Sequence, residues 1–417
     1  MKLARRVNCR TLSYSDLSGG INVSVLPENI SDKEMQACNN FMYDIDSATL
    51  KKRGGLGTAF ATYTSEILGT YNNYNTNQYF VFLKDKSIYL FDDTNSNVRI
   101  GTLNGDLKPD CCNFGSKVFI ASGSTLQCYD GVNEVFAVTN APNAALCFVK
   151  DNRVCVCSGF TSDPICYMSG IGDGTFWDDN ANDDSAATWV QIGNGGCGIY
   201  SATPLSNDII FFMTNGEIHS LSGSYPDWDM NQIAEDSGVD TRLCSVSVGT
   251  DVCFVGKSGL RTVSAVQKYS NIETHDIGDK FDSLITSYYS RPRIWKIDRC
   301  RSLFISPNYN LQTIIVYNYN LKAATTISFP FVVVDFFENS SGIVVVSPNS
   351  LHFFSREYLT DNGTAIDCSL TTKRTVTIYD KLLVSMVDCS FSASTSGSIN
   401  FKLHSLETSM SNWTSII

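Results

Sequence analysis

The sequence predicts an all-β protein, and three features of its 417 residues support this fold class. Aromatic residues are plentiful, with 24 Phe and 19 Tyr, and runs of Val and Ile recur, as suits half-buried strands. The 29 Gly provide the backbone conformations that tight turns require. Helical periodicity is scarce, and the best helix candidate is the short segment Asp32–Phe41, which opens with Ser31-Asp32 as its N-cap.

Pairs of apolar strands separated by polar turns recur from about Tyr79 onward. The turns carry Gly, Asn, Asp or Lys, as hairpins require. The segments are Tyr79–Leu83 with Ser87–Phe91, Val118–Ala121 with Thr125–Tyr129, Asp208–Met213 with Glu217–Leu221, Asp251–Val255 with Leu260–Val263, Thr313–Tyr317, and Ile343–Val346 with Leu351–Phe354. Their spacing clusters near ~40 residues, which is typical of four-stranded propeller blades.

We therefore predict a β-propeller built from antiparallel hairpin blades over residues 58–364. Residues 1–57 lack the hairpin pattern and are expected to form an N-terminal arm. Residues 365–417 alternate without glycine turns, which predicts a small C-terminal β element or strands that close the ring. A large sandwich, or two small β domains, is the alternative to a propeller.

The charge balance excludes one class of function. Lys and Arg total 31 against 42 Asp and Glu, which gives a formal net charge of −11. A negative surface repels the phosphate backbone, so tight binding of nucleic acid over a broad face is not expected. A mildly acidic lining would suit a conduit through which DNA slides, although solubility alone is the simpler explanation of the charge.

The cysteines predict folding in a reducing compartment. The sequence has 15 Cys, many of them inside apolar runs, and it contains no C-x-x-C pair of the kind found in zinc ribbons and thiol oxidoreductases. The segment that begins at Met1 has no apolar core of a secretory signal, and no apolar stretch approaches the ~20 residues of a membrane-spanning helix. The thiols are therefore expected to act as small buried hydrophobic groups.

The candidate motifs for catalysis and for cofactor binding lack residues or structural context that their chemistry requires. We therefore expect that the protein is not an enzyme and binds neither a metal nor a cofactor. None of the four His pairs with another at helical spacing, and His219 is expected on a blade face. Gly193–Gly198 matches G-x-G-x-x-G formally, but no helix can follow it, so it is predicted to be a loop. The acid-rich segment Asp178–Asp184 lacks the Gly and Glu positions of a calcium loop and is predicted to be solvated.

Several short sequence segments, in their order along the chain, resemble those of one protein family. They are Ser18–Asn22, Pro27, Glu34, Asn39-Asn40, Lys52–Gly55, Asp151–Val154, Tyr167–Ser169, Ile171–Asp173, Trp177, Pro204–Asp208, Ser220–Ser224, Gly256–Leu260, Ile277–Asp279, Val316–Asn320 and Ser328–Pro330. The series, which spans residues 17–380, resembles the tail hub or nozzle proteins of short-tailed bacteriophages, also called packaged-DNA stabilisation proteins.

The resemblance implies a structural protein of the virion tail that is assembled in the host cytoplasm. Such proteins form a ring of identical copies below the portal and adaptor, retain the packaged DNA and become part of the DNA ejection channel. Expected partners are portal or adaptor ring proteins, further copies of the chain, and tail fibres or other tail proteins. Contact with the packaged DNA would be transient.

Basic residues near the start of the chain are the candidate contacts. Lys51, Lys52 and Arg53, together with Lys2, Arg5, Arg6 and Arg10 in the same arm, concentrate positive charge in an otherwise acidic chain. We expect this region to contact an acidic partner surface or DNA, with a solvated charged face as the alternative.

Two other functions stay open at this point. A monomeric propeller could bind proteins on one face without forming a ring. Less favoured is a propeller hydrolase that acts on glycans, which would need two carboxylates flanking one pocket. Asp173, Asp227 and Asp229 are the carboxylates to test for that role.

Overall fold

A computed structural model of the chain describes residues 16–73, 76–92, 97–159, 162–179, 183–236, 239, 241–264, 277–374, 398–403 and 411–416. Most regular elements in these residues are β-strands, accompanied by short helical segments such as α1 (Asp282–Thr286) and a 3-10 helix at Asp298–Cys300. The prediction of an all-β chain is confirmed.

Five short strands lie before the first complete blade. They are β1 (Gly20–Ile21), β2 (Glu34–Asn39), β3 (Phe41–Tyr43), β4 (Leu50–Lys52) and β5 (Gly55–Thr62). The predicted boundary between residues 57 and 58 falls inside β5. The antiparallel pair β3–β4 places Lys51 and Lys52 at its end.

Blades 1 and 2 are four-stranded antiparallel sheets in which each strand pairs with the next. Blade 1 contains β6 (Ile67–Asn73), β7 (Gln78–Leu83), β8 (Ser87–Asp92) and β9 (Asn97–Thr102). Blade 2 contains β10 (Asp110–Phe114), β11 (Lys117–Ala121), β13 (Gln127–Tyr129) and β14 (Phe136–Ala137). Beside it, β12 (Ser124–Thr125) pairs with β15 (Asn143–Ala144).

Blades 3 and 4 repeat this arrangement, and a three-stranded sheet follows them. Blade 3 contains β16 (Leu146–Lys150), β17 (Arg153–Cys157), β18 (Ile165–Met168) and β19 (Thr188–Gln191). Blade 4 contains β20 (Ile199–Leu205), β21 (Asp208–Met213), β22 (Ile218–Ser224) and β23 (Asp227–Ala234). The three-stranded sheet consists of β24 (Ser245–Val248), β25 (Asp251–Gly256) and β26 (Gly259–Thr262).

Blades 5 and 6 complete the ring. Blade 5 contains β27 (Arg293–Ile297), β28 (Ser302–Ser306), β29 (Thr313–Asn318) and β30 (Ala323–Ser328). Blade 6 contains β31 (Asp335–Glu338), β32 (Ile343–Val346) and β33 (Ser350–Ser355), and its fourth strand is β5. Three short strands follow, namely β34 (Thr360–Asp361), β35 (Thr364–Ala365) and β36 (Ser369–Thr372).

In the described residues, the six blades and the three-stranded sheet, which lies between blades 4 and 5, form a closed β-propeller ring of seven sheets. The first strand of each sheet contacts the first strand of the next, in the order β6, β10, β16, β20, β24, β27, β31 and back to β6. Closing the ring removes the large open edges that a flat sheet of this size would expose. The propeller prediction is therefore confirmed.

The two ends of the described propeller are bound to each other. Strand β5 pairs with β33 in antiparallel register, with Thr62 opposite Ser350. Strand β2 extends blade 5 outward, since it pairs in parallel with β30 and in antiparallel with β36. The predicted helix at Asp32–Phe41 is wrong, because β2 occupies this segment and pairs with β1 and with the distant strands β30 and β36.

Fully buried strand side chains hold neighbouring sheets together. Phe80, Phe119, Phe211 and Phe304 are among the largest buried groups, and each belongs to the second strand of its blade. The predicted hairpins lie where expected, because their apolar runs bury both faces of a central strand. Nearly all cysteines of the described residues are buried free thiols, as predicted.

The chain divides into two compact units, Met1–Arg374 and Thr375–Ile417. Within the second unit, β37 (Ser398–Leu403) pairs with β38 (Ser411–Ile416) in antiparallel register. Among the described residues, no helix has the length and apolar character needed to cross a membrane.

Candidate functional site

Charged side chains from several sheets meet where the inner strands begin, at one end of the ring's centre. We call this group the axial cluster, and its members are Lys108, Asp110, Arg242, Arg293 and Asp335. The three members Asp110, Arg293 and Asp335 are the first residues of β10, β27 and β31. Inner strands of a propeller surround its axis, so side chains at the same end of several strands converge.

Asp335 is the most heavily bonded member of the axial cluster. Its carboxylate lies 2.9 Å from Lys108 Nζ, with 12% and 7% of the two side chains exposed. It also accepts hydrogen bonds from Trp295 Nε1 at 2.6 Å and from both the backbone N–H and the hydroxyl of Thr70, at 2.9 and 3.0 Å. One carboxylate of blade 6 thus ties together blades 1, 5 and the segment that enters blade 2.

The two arginines of the cluster bind main-chain carbonyl groups. Arg242 donates to the carbonyl of Ala145 and, at 2.8 Å, to that of Lys108. Arg293 donates to the carbonyl of Val334 at 2.6 Å. Each contact crosses from one sheet to the start of another. The arginines of the cluster therefore connect neighbouring sheets through hydrogen bonds.

Burial shifts the titration of the axial cluster. It lowers the pKa of Lys108 to about 8, although the carboxylate of Asp335 opposes the change. It raises the pKa of Asp110 to about 6. Burial also acts to raise the pKa of Asp335, but the positive charge of Lys108 and its hydrogen bond outweigh this effect, and the pKa lies below its ordinary value. Near neutral pH the Lys108–Asp335 pair is ionised.

Asp110→Asn is expected to flatten the pH dependence of stability in mild acid. The folded-state pKa of Asp110 exceeds the ordinary value of ~3.9, so the folded protein binds the extra proton. Its stabilising contribution is present below about pH 4 and is lost as the pH rises through about 6, a change of roughly 3 kcal/mol. Urea denaturation across this range measures the difference, with exposed Asp85→Asn as control. Equal pH slopes for Asp110→Asn and the parent would contradict the assignment.

The predicted contacts Lys51 and Lys52 lie at the surface. Lys51 Nζ forms an ion pair with Asp44 at 2.5 Å, and half of its side chain is exposed. Lys52 Nζ donates to the carbonyl of Leu359 at 3.1 Å. Both ammonium groups are accessible from solvent, and their contact with a partner stays a prediction.

Arg53 lies in the interior, which corrects its expected role as a contact. The residue is only 3% exposed. Its guanidinium donates to both carboxylate oxygens of Asp361, at 2.9 and 2.5 Å, and lies 4.9 Å from the ring centroid of Phe329. Further donations reach Asn40 Oδ1 at 2.9 Å and the carbonyl of Ser328 at 2.7 Å. The guanidinium of Arg53 is thus bound to residues of the same chain, and the accessible cations of the predicted contact are Lys51 and Lys52.

The three carboxylates considered for hydrolysis lie on two different blades. Asp173 belongs to the connection between β18 and β19, and it accepts hydrogen bonds from the N–H and the hydroxyl of Thr175 at 2.9 and 2.6 Å. Its pKa is lowered by these bonds. Asp227 and Asp229 are exposed on β23, and Asp229 accepts from Asn231 at 2.9 Å. Asp173 thus behaves as a turn-forming carboxylate that stays ionised.

The described residues form two open surface pockets. One, of about 260 Å³, is lined by Leu68, Leu83, Lys84, Lys86, Gly105 and Asp106. The other, of about 350 Å³, is lined by Gly123, Pro142, Asn143, Ser158, Asp163 and Tyr167. Neither is lined by any carboxylate considered for hydrolysis.

The remaining motifs have structural roles. His219 is buried in β22, and its Nε2 lies 2.9 Å from a carboxylate oxygen of Glu217. The segment Gly193–Gly198 connects β19 to β20, as expected of a loop. No group of three or more His, Cys, Asp or Glu in the described part of the chain is placed to hold a metal ion.

The connection between β18 and β19 carries the most concentrated surface charge of blade 3. We call its described residues, 169–179 and 183–187, the acidic loop. It exposes five carboxylates and two large apolar side chains, Ile171 at 46% and Phe176 at 41%. The carboxylates are Asp173, Asp178, Asp179, Asp183 and Asp184. The sequence from 169 to 187 contains no Lys or Arg.

Buried groups fix the position of the acidic loop. Arg153 is fully buried and donates to the carbonyl of Ser169 at 2.7 Å and to that of Asp184 at 2.6 Å. Trp177 is also buried, and its indole N–H donates to the carbonyl of Gly174 at 2.9 Å. Hydrogen bonds from these two buried groups therefore attach the described backbone of the loop to blade 3.

No protein-family model and no curated protein sequence matches the chain. Among solved structures, it is similar to the WD40 β-propeller domain of Doa1, with 12% identity, 73% of this chain and 97% of that chain covered, and a TM-score of 0.48. It is also similar to the computationally designed Ika8 protein (11% identity, 76% and 96% covered, TM-score 0.46) and to streptogramin B lyase (9%, 70% and 93%, 0.45). The fold assignment rests on the closed ring of sheets.

Proposed function

We propose that this protein acts by binding other proteins and has no catalytic role. The observation that carries this proposal is the acidic loop, where exposed Ile171 and Phe176 stand among five carboxylates on a frame fixed by Arg153. Exposed apolar side chains surrounded by charge are characteristic of protein–protein contact surfaces. A closed propeller keeps such a surface rigid, so that little conformational entropy is lost on binding.

We further propose that the partners are those of a phage tail hub or nozzle. In this role the chain is one copy of a ring below the portal and adaptor, which retains packaged DNA and forms part of the ejection channel. The support is the ordered set of sequence phrases together with the location of three of them. Asn39-Asn40, Lys52–Gly55 and Ser328–Pro330 are far apart in sequence, yet all three contribute to the site around Arg53. A shared ring closure accounts for their joint occurrence.

Lys51→Glu combined with Lys52→Glu is expected to weaken assembly without unfolding the propeller. Both side chains are exposed, and surface ion pairs contribute only about 0–1 kcal/mol to stability. The measurement is binding to purified portal–adaptor complexes by sedimentation, with the melting temperature recorded in parallel. Asp46→Lys is a control of opposite charge change on the same hairpin. Unchanged binding by the double variant would remove these lysines from the contact.

Gold-labelled antibodies against this protein, applied to virus particles from its source, test the proposed function. Electron microscopy should show label at one capsid vertex or its short tail. Pre-immune serum and particles disrupted to expose internal proteins are the controls. Label absent from both intact and disrupted particles would discard the tail assignment and leave a monomeric protein-binding propeller.

A further inference from the structure

The acidic loop lacks a charge partner of matching size on its own blade. Its five carboxylates are exposed, and the sequence from 169 to 187 supplies no cation to offset them. Of the nearby cations, Arg153 is buried and donates hydrogen bonds to main-chain carbonyl groups beneath the loop, and Lys117 of blade 2 acts on Asp173 and helps to lower its pKa. A partner complementary to this loop would be basic and would cover Ile171 and Phe176.

One segment of this chain has that chemistry. Residues 1–15 contain four cations, Lys2, Arg5, Arg6 and Arg10, and no acidic residue, and they include the apolar residues Leu3, Val7 and Leu12. These residues lie outside the described part of the chain. Residues 1–15 and the acidic loop are complementary because the four positive charges of the first face the five negative charges of the second. Both also carry apolar side chains.

The fold separates the two partners within one copy. The chain becomes described at Asp16, whose carboxylate forms an ion pair with Lys33 at 2.7 Å, and it then enters β1 and β2 on the outer edge of blade 5. The acidic loop leads into β19, the outermost strand of blade 3. Blade 4 and the three-stranded sheet lie between these blades, which places the two edges on roughly opposite sides of the ring.

We propose that residues 1–15 of one copy bind the acidic loop of a second copy of this chain. Because two different surfaces meet, the contact is heterologous, and repeating it generates a ring or a filament. The inference rests on the proposed function only in that both require copies of the chain to associate. It names the surfaces and predicts that the association depends on salt, since charges at an exposed contact are screened beyond about 8 Å at physiological ionic strength.

Charge reversal in the full-length chain tests this proposal. The tail variant carries Lys2→Glu, Arg5→Glu, Arg6→Glu and Arg10→Glu. The loop variant carries Asp178→Lys, Asp179→Lys, Asp183→Lys and Asp184→Lys. A control with the same charge change as the loop variant carries Asp46→Lys, Asp85→Lys, Asp106→Lys and Glu357→Lys, all at exposed positions. Circular dichroism and the melting temperature confirm that each variant is folded.

Sedimentation velocity gives the readout. The parent and the control should associate at about 20 mM salt and dissociate near about 0.5 M. Each of the two test variants should stay monomeric alone, and an equimolar mixture of them should associate again, because every contact in it joins opposite charges. A monomeric parent at low salt, test variants that associate like the parent, or a mixture that stays monomeric would each overturn the proposal.

Two other occupants of the loop give distinct results. Residues 1–15 that bind the loop of their own copy would leave the parent monomeric at every concentration. Residues 1–15 that bind DNA would make the parent retain duplex DNA while remaining monomeric, and the tail variant would lose that retention. Either result overturns the proposal. If antibodies also label the short tail of the virus particles, the proposed function would remain supported despite such a result.

Discussion

Asp361→Ala is expected to lower the free energy of unfolding by about 3–5 kcal/mol, because it leaves a buried cation without its counter-charge. Only 1% of the Arg53 side chain and 8% of the Asp361 side chain are exposed. The substitution removes two hydrogen bonds to the guanidinium and a third, at 3.2 Å, that Leu56 N–H donates to the same carboxylate. Arginine cannot escape the penalty by losing its proton.

Urea denaturation of the full-length chain measures this effect. Asp32→Ala is the matched control, since it removes an ion pair with Lys373 of 3.0 Å in which the carboxylate side chain is 77% exposed, and it should change stability by about 0–1 kcal/mol. The double substitution Arg53→Met with Asp361→Leu should recover part of the loss, because no buried charge then remains. An Asp361→Ala variant as stable as the control would show that ring closure does not depend on this pair.

Asp335→Ala is expected to destabilise the propeller by a similar amount, about 3–5 kcal/mol at pH 7. It removes the counter-charge of Lys108 and the acceptor of the Trp295 indole and Thr70 hydrogen bonds. The milder substitution Asp335→Asn separates the effect of the charge from that of the hydrogen bonds. It keeps an acceptor oxygen while losing the charge, so its loss should be smaller than that of the alanine variant.

The effect of Asp335→Ala should also depend on pH. The folded-state pKa of Lys108 is lowered to about 8, below its ordinary value near 10.4, so the unfolded chain binds more protons between these limits. Stability therefore rises with pH from about 8 to about 10. As Lys108 loses its charge, the difference between the parent and Asp335→Ala should shrink. A difference of equal size at pH 7 and about pH 9.5 would contradict a role of Asp335 as the counter-charge of Lys108.

The hairpins were predictable from local sequence, because their signal lies within about fifteen residues. Asp208–Met213 coincides with β21, and the run Ile343–Val346 coincides with β32. Each combines a run of at least four apolar residues with a turn that carries Gly, Asn or Ser. Such strands are buried on both faces by the neighbouring blades, so the apolar run alone identifies them.

The errors concern residues whose partners are distant in sequence. Segment Asp32–Phe41 has the local pattern of a short helix, yet β2 forms there because β30 and β36 supply its hydrogen bonds. In the sequence, Arg53 is one of three consecutive basic residues. In the structure, its carboxylate partner Asp361 is 308 residues away along the chain. The axial cluster was missed for the same reason, since its members come from different sheets. A lone charged residue directly before or at the start of an apolar strand, as at Asp110 and Asp335, is the signal that was present.

The pairing of β5 with β33 has a consequence for the order of events during synthesis. Strand β5 leaves the ribosome early, but its partner is made only after most of the propeller has been translated. Contacts of such high sequence separation form late and slow the final folding step. A chain that stops before Ser350 has neither β33 nor Asp361, so its ring stays open and Arg53 has no counter-charge. Ring closure therefore requires that translation reach β33, and chains that stop earlier are expected to be more sensitive to proteases than the complete chain.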